Sequence, residues 1–154
     1  DVKDSKKLSP KKREEIYERV KKNEIEYSIS ERSNLHIDQN GISVSNKEVL
    51  SKSIDKLYQK PDKVYVDHFK IDKFGSISLV RGEDNSYSIA LASIIAKVYR
   101  DNLMINFGSK YPQYLFEKNK GYGTKEHLNM IQKYGVCDIH RLSFNLGPTQ
   151  QPQG

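Results

Sequence analysis

Apolar residues recur along this chain with two different periods, and the alternation between the two sketches the fold. Ser9-Pro10 opens the first helical pattern, the serine as N-cap and the proline in the first turn, and Ile16, Tyr17 and Val20 follow as a stripe at helical spacing. Residues Ile25 to Ile29 instead alternate as Ile-Glu-Tyr-Ser-Ile, which predicts a half-buried strand. Ser45-Asn46-Lys47-Glu48 has the form of a capping box, and Val49, Leu50, Ile54, Leu57 and Tyr58 continue it as an amphipathic helix that Pro61 ends. Lys63-Val64-Tyr65-Val66-Asp67 predicts a short buried strand closing on a carboxylate, and Ser76-Ile77-Ser78-Leu79-Val80 predicts another at a sheet edge.

The longest helical pattern runs from about Ser86 to Phe107. Ala90, Ser93 and Lys97 share one face of it, with Ile89, Ile94, Ile95 and Val98 on the flanks, and the small residues predict close packing against a sheet. A last helix starts at Thr124, turns Leu128 and Ile131 inward and stops at Gly135. From Gly147 the chain is polar, and residues 147–154 are expected to be a disordered tail. Strands interleaved with helices, without internal repeats, indicate an α/β domain over residues 1–146.

Composition adds a partner class and a compartment. The 154 residues are 36% hydrophobic and 30% charged, which predicts a small core and a wet surface. Lys and Arg number 26 against 20 Asp and Glu, and the resulting +6 tilts the chain toward a polyanionic partner. Cys137 is the only cysteine, so no internal disulfide can form; a reducing compartment fits, and the thiol is expected to be a small semi-buried filler. No apolar stretch is long enough to span a bilayer, and the charged Asp1-Val2-Lys3-Asp4-Ser5-Lys6-Lys7 does not read as a signal peptide, so a cytoplasmic protein is expected.

Three places carry candidate chemistry. Asp67 closes a buried strand, where a carboxylate faces a cleft as a metal ligand or serves as a helix cap or salt-bridge partner. Glu83 and Asp84 precede the long helix, either as an acidic cap favoured by the helix dipole or as a partner of Asp67 around a divalent cation. Spacing does not decide between these. Gly121-Tyr122-Gly123-Thr124 leads into a helix N-terminus amid Lys118, Lys120 and Lys125, which suits a phosphate seat with a flat aromatic face or an ordinary glycine loop with solvated lysines.

Five stretches, taken together, resemble the ribonuclease HII family in order and spacing. They are Asp4-Ser5-Lys6-Lys7-Leu8-Ser9, Val64-Tyr65-Val66-Asp67, the helix Ser88 to Asp101, Lys120-Gly121-Tyr122-Gly123-Thr124-Lys125-Glu126-His127-Leu128, and Ile139-His140-Arg141-Leu142-Ser143-Phe144. The resemblance implies a ribonuclease H-like mixed sheet flanked by helices. It also implies an endonuclease acting on the RNA strand of RNA–DNA hybrids and on DNA containing ribonucleotides, with a part in DNA replication and repair. Four carboxylates of the family hold two Mg²⁺ or Mn²⁺ ions, and the products carry 5′-phosphate and 3′-hydroxyl ends. The resemblance matches the third carboxylate to Asp67 and, counting back from Ser88, the fourth to Glu83, with Asp84 one residue away as the alternative. Lys6 is matched to a backbone phosphate, Tyr122 to the sugar beside the RNA–DNA junction, Lys120 and Lys125 to further phosphates, and His140 and Arg141 to supporting hydrogen bonds. A monomer is expected for the complete enzyme.

The chain also departs from the family pattern. Arg81-Gly82-Glu83 stands where Lys-Gly-Asp is usual, which makes the fourth ligand a Glu, as in the related ribonuclease HIII. His68 follows Asp67 where the family usually has glycine and is expected to be a surface histidine; Asn119 stands where a histidine is common. Lys97, Arg100 and Asp101 are expected to form structural ion pairs on the long helix. The family's first two metal ligands lie in an Asp-Glu-x-Gly-Arg-Gly motif that does not occur in these residues. The expectation is therefore an N-terminally truncated chain that lacks the family's first strands and is inactive alone.

Overall fold

A computed structural model describes residues 7–73 and 75–147. Lys6 and the tail from residue 148 onward lie outside the described residues. The chain divides into two compact units, residues 1–32 with 43–98 and residues 33–42 with 99–154.

In the first unit, α1 (Pro10–Lys22) begins where Ser9 Oγ accepts the Lys12 backbone N–H, so the predicted cap is the one used. Its buried Ile16 packs with Ala90, Ile94 and Val98 of the long helix, and Leu8, Tyr17 and Leu91 cover that cluster. The expected strand at 25–29 does not form. Residues 25–30 run without a sheet partner, held instead by side chains: Tyr27 meets the Tyr17 hydroxyl at 3.2 Å, and Ser28 Oγ donates to the Ser53 carbonyl. Alternating polarity signals one buried face, and here helices supply the cover that a neighbouring strand would.

The second helix of this unit differs from expectation at both ends. It runs Ile42–Asp55, so Ser45 lies inside it and is buried rather than capping it. It stops well before Pro61, and Tyr58, expected on its apolar stripe, is 93% exposed. Leu50 and Ile54 do face inward, packing with Phe69 around Val64, Val66 and Ile71. We call this helix α3, because the chain first forms α2 (Asn34–Asn40) in the other unit.

Two short strands, β1 (Tyr65–Asp67) and β2 (Ile77–Leu79), pair in parallel with Asp67 opposite Leu79. The one-turn helix α4 (Gly82–Asn85) packs on both strands, and α5 (Tyr87–Lys110) follows. The division between the units falls within α5, after Val98.

The second unit builds on α2, the C-terminal half of α5, a 3-10 turn at Pro112–Tyr114, α6 (Phe116–Asn119) and α7 (Lys125–Tyr134). Tyr114, Phe116 and Ile131 form its core. Cys137 is partly buried against that core, and burial pushes its thiol pKa up, so the filler role holds. Helix α2 was not foreseen. Asn34 donates from its side-chain amide to the Asp138 and His140 carbonyls, while Asp38 accepts the Leu142 and Ser143 N–H groups. Four residues apart, Asn34 and Asp38 share a helix face and hold segment 138–143 from it.

Among the described residues, no helix is long and apolar enough to cross a membrane.

Candidate functional site

The carboxylate end of β1 is built by close backbone approach. Gly82 donates its N–H to Asp67 Oδ1 at 2.8 Å, so the first residue of α4 touches the last residue of the strand. A Cβ at Gly82 would sit 2.5 Å from Ile89 Cδ1 and 3.2 Å from Asp67 Oδ1, so glycine is required there by space. Glu83 is the next residue along. Its carboxylate turns toward α5, where Ser93 Oγ donates to Oε1 at 2.7 Å, and it is half-buried while Asp84 is exposed.

Two residues around this corner adopt left-handed backbone without being glycine. His68 has φ 59 and Arg81 has φ 52, and each flanks a candidate ligand segment. Such strain persists where the surroundings fix it, and it clusters at functional positions. It also gives the usual family glycine after the aspartate a physical reason. His68 donates its backbone N–H to the Leu79 carbonyl, which carries the ladder one residue beyond β1 and holds it in that conformation. Its side chain is exposed, with Nε2 3.7 Å from Asp67 Oδ1, as expected of a surface histidine. His68→Gly is expected to raise stability by about 1 kcal/mol, a gain of roughly 3 °C in Tm, by removing the left-handed penalty. A thermal melt showing no gain or a loss would mean that the His68 ring contributes more than the strain costs.

The second unit holds the remaining candidates that are described. Lys120, at φ 52, and Gly121, at φ 76, turn the chain sharply before Tyr122. Asn119 makes the turn: its amide donates to the Tyr114 carbonyl at 2.6 Å, and its Oδ1 accepts the Gly121 N–H at 2.8 Å. Arg100 of α5 donates to the Lys120 carbonyl at 2.8 Å, and its guanidinium lies 5.0 Å from the Tyr122 ring centre. Tyr122 itself is 53% exposed. Thr124 Oγ1 caps α7 by accepting the His127 N–H, and Lys125, its first residue, is exposed. Lys120 Nζ donates to the Glu117 carbonyl.

His140 is buried and meets His127 across the unit's core, Nε2 to Nε2 at 3.2 Å. Arg141 lies with its guanidinium 5.0 Å from the Phe144 ring. Burial, and then the neighbouring Arg100, push the Arg141 pKa down, with the Asp38 carboxylate opposing. Guanidinium does not deprotonate in proteins, so both groups stay charged, and Asp38 offsets part of that charge.

Of the expected residues, the structure thus brings Asp67 and the Gly82-Glu83 segment together in one unit, and Lys120, Tyr122, Lys125, His140 and Arg141 into the other; Lys6 is not described. Three contributors were not expected at the site: Arg100, expected in a structural ion pair, Asn119, just before the Lys120 to Leu128 motif, and His127, inside it. Only Asn119 carried a signal, as a departure from the common histidine beside a glycine turn. Among the described residues, no group of three or more His, Cys, Asp or Glu side chains is gathered as a metal site.

The profile of the ribonuclease HII family matches residues 1–146. The chain belongs to that family. Ribonuclease HII of Caldicellulosiruptor bescii is 48% identical over 145 residues, covering 93% of this chain and 70% of that protein. Ribonuclease HII of Clostridium perfringens strain 13 is also 48% identical over 145 residues, but the chain spans only 53% of its length. The crystal structure of the ribonuclease H2 from Pyrococcus horikoshii OT3 superposes with a TM-score of 0.73 at 24% identity, over 94% of this chain and 77% of that one. The α/β architecture with its small parallel sheet is therefore the ribonuclease H2 fold.

Proposed function

We propose that this chain carries part of a divalent-metal-dependent endonuclease that cuts the RNA strand of RNA–DNA hybrids and nicks DNA at embedded ribonucleotides. The observation that carries the reading is the Asp67 Oδ1–Gly82 N–H hydrogen bond, which sets Glu83 one residue from the strand-end carboxylate in a chain of the ribonuclease HII family. Asp67 and Glu83 would hold Mg²⁺ or Mn²⁺, since paired carboxylates are the hard oxygen donors these ions prefer. Bound ions of this kind activate water and stabilise the leaving 3′ oxygen in phosphodiester hydrolysis, giving 5′-phosphate and 3′-hydroxyl ends. Two carboxylates fit the donor type but fall short of the number two ions need. The 154 residues by themselves are therefore expected to bind the hybrid and leave it uncut.

The nucleic acid would be held by Lys6, Lys120 and Lys125 at phosphates and by Tyr122 at a sugar, with His140 and Arg141 in support. Arg100 over the Tyr122 ring supports this reading, because it sets a guanidinium charge beside an exposed aromatic ring. Tyr122→Ala is expected to weaken binding of a fluorescent RNA–DNA hybrid roughly tenfold, at the low end of a base–aromatic contact. Lys120→Ala combined with Lys125→Ala is expected to flatten the salt dependence of that binding by about two phosphate contacts. Unchanged affinity in the first variant together with an unchanged salt slope in the second would remove the loop from the interface.

A second reading is a non-catalytic hybrid-binding module, favoured by the completeness of the Tyr122 loop within residues that lack the family's Asp-Glu-x-Gly-Arg-Gly motif. The two part on cleavage by the chain extended with that motif, which only the first reading expects.

A further inference from the structure

A directed line of hydrogen bonds crosses the core of the second unit and ends on the Tyr122 loop. Cys137 donates its backbone N–H to His140 Nδ1 at 2.9 Å. An amide N–H only donates, so this nitrogen is the acceptor, and a neutral His140 carries its proton on Nε2. The Cys137 carbonyl lies farther from Nδ1, at 3.3 Å, and the thiol at 3.2 Å can itself donate to that nitrogen. At the other end, His127 Nδ1 lies 2.9 Å from the Tyr122 carbonyl, which only accepts, so His127 carries its proton on Nδ1. The two assignments, made independently, meet with matching polarity at 3.2 Å: His140 Nε2–H donates to the bare Nε2 of His127.

Every position in this relay is filled. A third proton on the pair would set N–H against N–H, either between the two rings or at the Cys137 amide. Among the influences on His140, only the Cys137 carbonyl favours such a cation. The rings are walled by Tyr114, 4.9 Å from His140, and Phe116, 5.4 Å from His127. The Tyr114 hydroxyl donates to the Gly135 carbonyl, and the Cys137 thiol feels Asp138 and Lys110. His127 is the one ionisable group among the influences on His140, and it disfavours added charge there.

We propose that His127 and His140 are positioning residues whose neutral, one-proton-each relay holds the Tyr122 carbonyl and so sets the Tyr122 ring for nucleic acid, and that acidification releases the loop. Burial, then His127, pushes the His140 pKa below the usual histidine value of about 6.5, with the Cys137 carbonyl, an acceptor beside Nδ1, opposing. The folded state thus prefers the neutral ring. The relay's stabilisation is complete above about pH 6.5 and is lost as pH falls through the lowered value of His140. The ligand named here rests on the proposed function; the relay's hold on the loop does not.

The test uses the full chain. Nitrogen-15 NMR of the wild type at about pH 7.5 is expected to show His127 as the Nδ1–H tautomer and His140 as Nε2–H. The Gly123 amide, whose peptide group contains the Tyr122 carbonyl, is expected to shift in step with their protonation. A His140 proton on Nδ1, or a Gly123 signal indifferent to that titration, overturns the proposal. In hybrid binding, wild type is expected to lose about fivefold more affinity between about pH 8 and about pH 5 than Tyr122→Ala does. His127→Asn keeps a donor in the place of Nδ1 and is expected to bind within about twofold of wild type at about pH 8, whereas His127→Leu loses about fivefold. Equal loss in both variants, in soluble protein with native melting, overturns the proposal. If Tyr122→Ala binds as tightly as wild type while the NMR couplings hold, the relay stands and the loop's assignment to nucleic acid fails.

Discussion

Joined to an upstream Asp-Glu-x-Gly-Arg-Gly strand, the chain is expected to nick a DNA duplex carrying one ribonucleotide with Mg²⁺ or Mn²⁺, and Asp67→Asn is expected to cut that rate by about 10³-fold, roughly 4 kcal/mol of transition-state stabilisation. Asparagine keeps a side-chain oxygen able to accept the 2.8 Å bond from the Gly82 N–H. The local fold therefore survives while the charge that a hard cation needs is gone, and melting should be nearly unchanged. Glu83→Gln is expected to fall by a similar factor, because Gln can still take the Ser93 hydroxyl but not the ion. Asp84→Asn, at an exposed position, is expected to stay within about threefold. A collapse in Asp84→Asn with an active Glu83→Gln would move the fourth ligand by one residue. An extended chain that is folded, binds the hybrid and remains inert with both metals would sink the enzyme reading. The unextended 154 residues should leave the same duplex intact.

What could be read from sequence follows from which forces act locally. Helices α1 and α7 were legible because their ends carry their own chemistry: Ser9 and Thr124 accept N–H groups of the first turn, and Gly135 takes the left-handed stop. The strand ending at Asp67 was legible from its valines. Helix α2 was not, since Asn34-Leu35-His36-Ile37-Asp38 has weak helix propensity and is held by long-range bonds from Asn34 and Asp38 to residues 138–143. Ser33, which accepts the His36 N–H, was the available signal. The capping-box pattern at Ser45 misled because the helix already begins at Ile42, about one turn earlier. At the candidate site, residue types pointed to Asp67 and Glu83, but the roles of Arg100, Asn119 and His127 depend on contacts that only folding creates. His127 is the clearest case: its motif was quoted, yet its partners are a carbonyl five residues back and a ring thirteen residues on.

Gly82→Ala is expected to cost about 1–3 kcal/mol in a denaturant melt and, in the extended chain, roughly 10–100-fold in nicking rate. Contacts with two different residues produce the two losses, and they can be separated. The added Cβ meets Ile89 Cδ1 at 2.5 Å, and Ile89 is buried in the first turn of α5, where its branched side chain has little freedom to turn away. The same Cβ meets Asp67 Oδ1 at 3.2 Å, tight enough that the carboxylate must give by a few tenths of an ångström. Ile89→Val removes only Cδ1. In the double variant the 2.5 Å clash is relieved while the 3.2 Å contact with Ile89 Cγ2 stays, so its stability should exceed the sum of the single changes by about 1 kcal/mol. The pressure on Asp67 is untouched, so the nicking rate should remain low. Recovery of both quantities would mean that Asp67 never felt the methyl group and that its contact with Gly82 is loose. Recovery of neither would mean that Ile89 Cδ1 was not the obstacle. The expected split ties the Gly82 position to the geometry of the Asp67 carboxylate as well as to the packing of the corner, and it assigns a separate cost to each.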